Sequence, residues 1–343
     1  MTASLCHGAE KINAVPSSLR VLLIAPRFFG YEAEIKKCLE KKGAIVDWLP
    51  DRPFDKAWHL TILRLLPKLM LSFVNIYYLK KLNDLPISQY NIIFAVNTVT
   101  LSPKIIAKIK QLNPAAKYVI YMWDSMKNRD HVKHVLGFFD SKWSFDPETA
   151  LQYGMKFRPL FYVNEYKNCK PVEINNDLIF IGTIHSDRYL FIKKLQKIVP
   201  RNFKCFYYLY LKSSWVFWVQ KILRPSMWLA NYKEFKFEAA SKKDVIKSIH
   251  KSRIVIDIEH RKQCGLTMRT FEALGAMKKI ITTNHRIREY DFYHPDNVAV
   301  IDRDAPAVAD SFWISPYRKI PDEIYNNYSI DAWVNEVLEL SEK

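Results

Sequence analysis

The chain has 343 residues, 49% of them hydrophobic and 25% charged, ordinary globular values that exclude a disordered protein. That length suits two domains of roughly 150 residues each better than one core. The formal net charge of +17 favours an anionic partner, such as phosphate groups or an acidic membrane face.

Residues 1–17 have no apolar core like that of a signal peptide and read as a flexible tail. Residues 20–25 form a continuous apolar run, the pattern of a buried parallel strand. A turn from Pro26 to Gly30 leads to a helix over 31–42, with Gly43 as its stop, and a second strand over 44–49. Strand, helix and strand in about 30 residues open a doubly wound sheet. The pattern continues with a strand at 91–96, a helix at 102–112 capped by Ser102, and a strand at 118–123. A short strand at 141–145, helical turns at 147–153 and the segment 158–163 close the first half, which we take as a domain over 18–163.

Residues 164–176 are polar and without period, and read as a linker. A second alternating set then fills a domain over 177–315. It has strands at 177–181, 203–211, 253–258, 280–284 and 297–302, with helices at 187–198, 242–250 and 265–275. A returning segment, 316–343, carries a last helix at 330–340. The expected fold class is therefore α/β, with two Rossmann-like domains, a cleft between them and a C-terminal helix returning toward the first domain.

Two segments break this grammar. Residues 53–82 read as a long helical insertion bent by Pro67, and 207–236 mix Trp215, Phe217, Trp218, Trp228 and Tyr232 with Lys212, Lys221, Arg224 and Lys233. Aromatic and basic residues together suit a membrane–water interface, and core or inter-domain packing is the competing reading. The longest strongly apolar run without charge, Leu69 to Leu79, is too short to span a bilayer, so a soluble or peripheral protein is expected. Five scattered cysteines (Cys6, Cys38, Cys169, Cys205, Cys264) without a C-x-x-C pair suit a reduced cytoplasmic compartment and no structural zinc.

Chemistry in such folds sits at the C-terminal strand ends. In the first half those positions hold Arg27, Gly30, Tyr31, Asn97, Thr98, Asp124 and Ser125. In the second they hold Gly182, Thr183, His185, Arg188, Glu259, His260, Arg261 and Asn284. The segment GLTMRTFEALG (265–275) reads as a glycine-started helix with Arg269 and Glu272 on one face and Leu266, Thr270, Phe271, Leu274 and Met277 on the core side. Its N-terminal amides, an arginine and a glutamate can hold an anion and a pair of hydroxyls, the parts of a nucleoside diphosphate. A plain surface ion pair is the alternative for Arg269 and Glu272, a solvated helix residue for Arg188 and a helix cap for Asp124. Lys278 and Lys279 read as solvent-facing charges at the helix end. Gly-x-Gly-x-x-Gly, Walker, His-Glu-x-x-His and Gly-x-Ser-x-Gly motifs do not occur, which removes support for dehydrogenases, P-loop enzymes, zinc proteases and serine hydrolases.

At this point the residues resemble a known family. The twin halves, GLTMRTFEALG, KKIITTN (278–284), YDFYHPDN (290–297) and FIGTIHSDR (180–188) look like the GT-B-fold glycosyltransferases of bacterial capsule, lipopolysaccharide and exopolysaccharide biosynthesis, most clearly over 177–303. The resemblance implies transfer of a sugar, a hexosyl group by type, from a nucleotide-sugar donor to a glycan or lipid-linked acceptor. Metal and cofactor are both absent from that expectation, the nucleotide-sugar being a substrate. It gives Glu272 the ribose hydroxyls, and Arg269, Arg188 and the Gly265, Leu266 and Thr267 backbone the diphosphate. Gly182, Thr183, His185 and His260 complete the donor side. Arg27, Gly30 and Tyr31 stand for the acceptor side, and Asp124 is the candidate base. Cys264 stands where the common retaining pattern carries a first glutamate, eight residues before Glu272, so stereochemistry stays open. A lipid-linked acceptor would place the enzyme on the anionic inner face of the cytoplasmic membrane. Nucleic acid is not expected, since no recognition motif appears and the charge is not gathered in one block. A nucleotide-sugar 2-epimerase and a non-catalytic binding protein of the same fold are the rival readings.

Overall fold

The computed structural model describes residues 19–52, 67–86, 89–126, 130–167, 172–261 and 263–340. The expected tail at 1–17, the first part of the insertion at 53–66, Cys6 and Cys169 lie outside the described residues.

The first half runs β1 (Arg20–Ala25), α1 (Tyr31–Lys41), β2 (Ile45–Pro50), α2 (Pro67–Asn83), β3 (Ile92–Val96), α3 (Pro103–Leu112), β4 (Lys117–Met122), β5 (Ser141–Ser144), α4 (Pro147–Tyr153), β6 (Lys156–Phe157) and α5 (Asn164–Lys167). The second runs β7 (Asn176–Thr183), α6 (Arg188–Gln196), β8 (Cys205–Tyr210), α7 (Ser214–Leu223), β9 (Phe235–Lys236), α8 (Lys242–His250), β10 (Ser252–Asp257), α9 (Met268–Gly275), β11 (Lys279–Thr282) and β12 (Val298–Val300). Three helices finish the chain, α10 (Asp310–Ile314), α11 (Asp322–Asn327) and α12 (Ile330–Leu338).

The strands form two six-stranded sheets, ordered β2-β1-β3-β4-β5-β6 and β12-β11-β10-β7-β8-β9. The strand pairs are parallel in both. The architecture is the expected α/β pair of Rossmann-like units. Strand order reverses between β1 and β3 in one sheet and between β7 and β10 in the other, the crevices where such sheets take ligands.

Burial on both faces explains the unbroken apolar runs. Leu22, Ile24, Ile93 and Ala95 point to one layer of the first sheet, under α2 and α3. Their neighbours Val21, Leu23 and Phe94 point to the other. That second layer does not stop at the first sheet. It continues through Phe145 and Phe161 to Leu266, Phe271, Ile179 and Val255 of the second half. The two halves therefore share one apolar cluster.

Helix capping follows the sequence at several points. Ser102, Asp146 and Ser241 each accept the backbone N–H of the third residue on, and Pro103 and Pro147 occupy the first helical position. The segment 158–163 closes the first half without a regular element, with a β-bridge from Tyr162 to Ser329 and a hydrogen bond from the Tyr162 hydroxyl to the Tyr325 carbonyl at 3.1 Å. Within the expected linker, 164–167 form α5.

Helix α12 returns to the first sheet. Its Trp333 is fully buried and meets Phe161 at 4.5 Å and Tyr121 at 4.6 Å between ring centroids. Trp333→Ala should lower stability by about 3–5 kcal/mol, the range for emptying a large aromatic site. Urea unfolding followed by circular dichroism reads this directly, and an unchanged midpoint would show that the returning helix contributes no packing.

Candidate functional site

A cleft of about 380 Å³ opens between the two sheets. Each switch point supplies a wall: Pro26 and Phe28 after β1, Asn97 and Val99 after β3, Gly182 and His185 around the end of β7, and Asp257 and His260 around the end of β10. Trp123 and Asp124 after β4 complete the first-half wall, and Arg188, Thr267 and Arg269 the second. Of the residues expected at a site, the structure brings together Asp124, Gly182, His185, Arg188, His260, Thr267 and Arg269.

Two arginines give the second-half wall its charge. Arg188 donates from Nη1 to the Thr183 carbonyl at 3.0 Å and from Nη2 to the Ile258 carbonyl. Its Nε is buried without a hydrogen-bond partner among the described residues. Burial draws its pKa down to about 10, while the nearby Asp257 acts to raise it, so the group stays cationic at neutral pH. Asp257 is itself buried, which raises its pKa, and it accepts from the Thr267 hydroxyl at 2.8 Å and from the Thr270 hydroxyl. Thr267 also caps α9 by accepting the Arg269 N–H at 3.1 Å. Burial and the charge of Arg188, then of His260, push the His185 pKa down to about 4. His185 is therefore neutral at physiological pH. On the facing wall Asn97 holds a left-handed backbone (φ 44°), and its buried Oδ1 lacks a partner among the described residues. Such strain in a non-glycine residue clusters at ligand sites. Asp124 accepts the N–H of Ser125 at 2.9 Å.

Beside the cleft, across Arg269 and Met268, lies a second cavity of about 160 Å³. Glu272 is here, with Tyr31, Tyr166, Tyr208, Tyr210, Thr183 and Lys242. Glu272 is buried rather than a surface group. Its carboxylate pairs with Arg269 and accepts a hydrogen bond from the Tyr31 hydroxyl. Burial is the largest influence and favours a neutral Arg269, but Glu272 and smaller neighbouring contributions together reverse it and raise the arginine's pKa. A buried ion pair stands when a third group satisfies the remaining lone pairs, and Tyr31 supplies that from the other half of the chain.

Several expected positions serve differently. The helix starts at Met268, so Gly265 is not its N-terminus. The amides of Cys264 and Gly265 donate to Asp146 of the first half at 3.1 and 3.3 Å. A Cβ at Gly265 would stand 2.7 Å from the Phe145 carbonyl oxygen, and one at Gly275 would stand 2.7 Å from Tyr162. These glycines allow two surfaces to touch. Leu266 is core. Arg27 lines a neighbouring groove with Arg52, Trp48 and Lys81, and Gly30 (φ 79°) starts α1. Glu259 accepts from Thr283 and Arg303 and is spent on that network. Lys279 is buried and donates to Ser315, and Lys278 donates to the His250 carbonyl, so neither is the expected solvent-facing charge. Met277, expected toward the core, is exposed.

Sequence reasoning missed Asp257, Trp123, Tyr208 and Tyr210. Asp257 ends a strand, a signal that was available; the tyrosines sit in an apolar run whose face only the sheet reveals. Among the described residues, no group of three or more His, Cys, Asp or Glu could hold a metal ion.

No protein-family model matches the chain, and no curated protein matches it. Solved structures do. A glycosyltransferase from Rickettsia africae is 14% identical with a TM-score of 0.53, covering 94% of this chain and 100% of its own. The Anabaena protein Alr3699/HepE, solved in complex with UDP-glucose, is 12% identical with a TM-score of 0.57, covering 94% and 99%. A UDP-GlcNAc 2-epimerase from Neisseria meningitidis bound to UDP-GlcNAc is 12% identical with a TM-score of 0.53, covering 94% and 99%. The shared property is the GT-B fold.

Two outcomes follow from this geometry. Gly265→Ala should destabilise the chain by about 1–3 kcal/mol, because a backbone carbonyl cannot yield to the new methyl; thermal melting measures it, and an unchanged Tm would mean the seam is loose. His185 has a folded pKa below its unfolded value, so the unfolded chain binds more protons as pH falls from about 6.5 to about 4, and stability is lost across that window. In His185→Gln the melting temperature should fall less than in wild type over the same range. Parallel curves would show that His185 is solvated.

Proposed function

We propose that this chain is a glycosyltransferase that moves a sugar from a nucleotide-sugar donor to a glycan or lipid-linked acceptor. The observation that carries the reading is the meeting of half-buried, cationic Arg188 and Arg269 with buried Glu272, the partner of Arg269, at the β7/β10 switch point. Likeness of fold to proteins solved with UDP-sugars supports it.

The donor's ribose hydroxyls would replace the Tyr31 hydroxyl on Glu272, with the base among Tyr208 and Tyr210. The diphosphate would extend past Arg269 toward Arg188, whose buried Nε has no partner among the described residues. As the bond from sugar carbon to phosphate oxygen breaks, negative charge grows on the nucleoside diphosphate. Fixed guanidinium groups in a shielded cleft stabilise that charge without reorganising. The acceptor oxygen forms the new bond to the sugar carbon and gives up its proton. In an inverting reaction Asp124, on the opposite wall, takes that proton. In a retaining reaction the departing phosphate takes it and Asp124 positions the acceptor. Neutral His185 lines the same cleft and adds no competing charge.

A nucleotide-sugar 2-epimerase is the second reading, favoured by the Neisseria structure. It needs no acceptor, so conversion of the donor alone without hydrolysis would select it.

A thermal-shift series with UDP, GDP, dTDP, CMP and ADP tests the donor site on wild type and Glu272→Gln. Removing the charge leaves Arg269 uncompensated, so each protein is read against its own baseline. One nucleotide should raise the wild-type Tm. Glu272→Gln should weaken its apparent affinity roughly 10- to 150-fold, the loss of a charged hydrogen bond worth about 1.5–3 kcal/mol. Equal shifts in both proteins would remove Glu272 from the donor site.

A further inference from the structure

Helix α7 and the turn after it turn an apolar face outward. Trp215, Trp218, Ile222, Leu223, Trp228 and Leu229 are all exposed, Ile222 at 75% and Leu229 at 96%. This is not a loosely attached helix. Phe217 on its inner side is fully buried and packs against Tyr232 at 5.3 Å and Phe235 at 5.1 Å. With that side anchored, Trp215, Trp218 and Ile222, spaced three and four apart, stand on the outer face. A contiguous apolar surface of this kind marks an interaction site.

The surrounding charge selects the partner. Between 212 and 233 the chain has Lys212, Lys221, Arg224 and Lys233 and no aspartate or glutamate. Lys212 and Lys233 are exposed, whereas Lys221 folds back onto the Ala230 carbonyl at 2.8 Å. A second copy of a chain of net charge +17 would bring like charge against like. Tryptophan beside lysine on a short helix instead matches the boundary between lipid headgroups and acyl chains.

The patch also adjoins the site. Helix α7 leaves β8 at the end where Tyr208 and Tyr210 line the second cavity. At its far end Arg224 lies close enough to His185 of the cleft to help lower its pKa.

We propose that α7 and the turn after it dock on an anionic lipid bilayer. The tryptophan, isoleucine and leucine side chains enter the headgroup region, and Lys212 and Lys233 meet lipid phosphates. The mouth of the cleft is then held beside the membrane surface. Among the described residues no helix is long and apolar enough to cross a bilayer, so the contact is interfacial. The proposal stands whether or not the cleft transfers sugars.

The test is co-sedimentation with phosphatidylcholine vesicles and with phosphatidylcholine–phosphatidylglycerol vesicles. It compares wild type, Trp215→Ser/Trp218→Ser/Leu229→Ser and Lys212→Gln/Lys233→Gln. Wild type should pellet with the anionic vesicles, and less so as salt is raised. The lysine variant should lose roughly thirtyfold in partitioning, from about 1 kcal/mol for each of the two basic residues at such a surface. The apolar variant should lose at least as much, with circular dichroism confirming that it remains folded, since Trp218 also stacks on Tyr232 at 6.0 Å. The proposal is overturned if wild type stays in the supernatant or if the apolar variant pellets like wild type. It is equally overturned if wild type sediments as a dimer that the apolar variant dissolves, since a second copy would then occupy the patch.

Discussion

Helix α9 leaves no room on either flank, and the arrangement of the two halves depends on that closeness. A methyl group at Gly265 or Gly275 would collide with Phe145 or Tyr162, so the contacts exist because side chains are missing there. The same approach lets Asp146 take the amides of Cys264 and Gly265. It also brings the Tyr31 hydroxyl onto Glu272. Lys242 bridges Glu34 and Glu165 at 2.7 and 3.0 Å nearby. One shared apolar cluster runs through this seam, so the cleft is bounded by packed walls.

The electrostatics of the cleft follow from that packing. Two guanidinium groups are half-buried within one wall, and each keeps its charge by a different means. Arg269 has a carboxylate partner; Arg188 rests on two backbone carbonyls and the field of Asp257. Burial and, after it, the charge of Arg188 hold His185 neutral. The wall is cationic where an anion would lie, and His185 within it is uncharged near neutral pH. Glu272 does two jobs in this arrangement. Its carboxylate balances Arg269 and accepts from Tyr31, so any ligand hydroxyl that reaches it exchanges one donor for another and leaves no buried charge bare.

Motif and burial part company in instructive ways. The glycine-bracketed segment drew attention as a phosphate-holding helix start, yet its glycines serve contact across the seam. Thr267, inside the segment, is what caps the helix and ties it to Asp257. Lys278 and Lys279 looked like ordinary helix-end charges. Lys279 instead ties β11 to the segment around Ser315, with its ammonium over the Phe312 ring at 4.1 Å. Conversely, the exposed tryptophans of α7 read equally well in sequence as core.

The amino-acid sequence by itself determined the alternation of apolar strands and capped helices, and with it the twin Rossmann-like units. Period and capping are local properties, written in adjacent residues such as Ser102 with Pro103 or Ser241 with Asp244. It also determined that polar groups collect at strand ends, which is why Asp124, His185 and Arg188 were visible as candidates. Only the tertiary structure decided which strand ends face each other. That choice put Tyr31 on Glu272, sent Arg27 to a separate groove, gave Glu259 to Arg303 and took the Gly265 amide for Asp146. These partners lie tens to hundreds of residues apart, and nothing in local spacing encodes a contact that sheet order and close packing create.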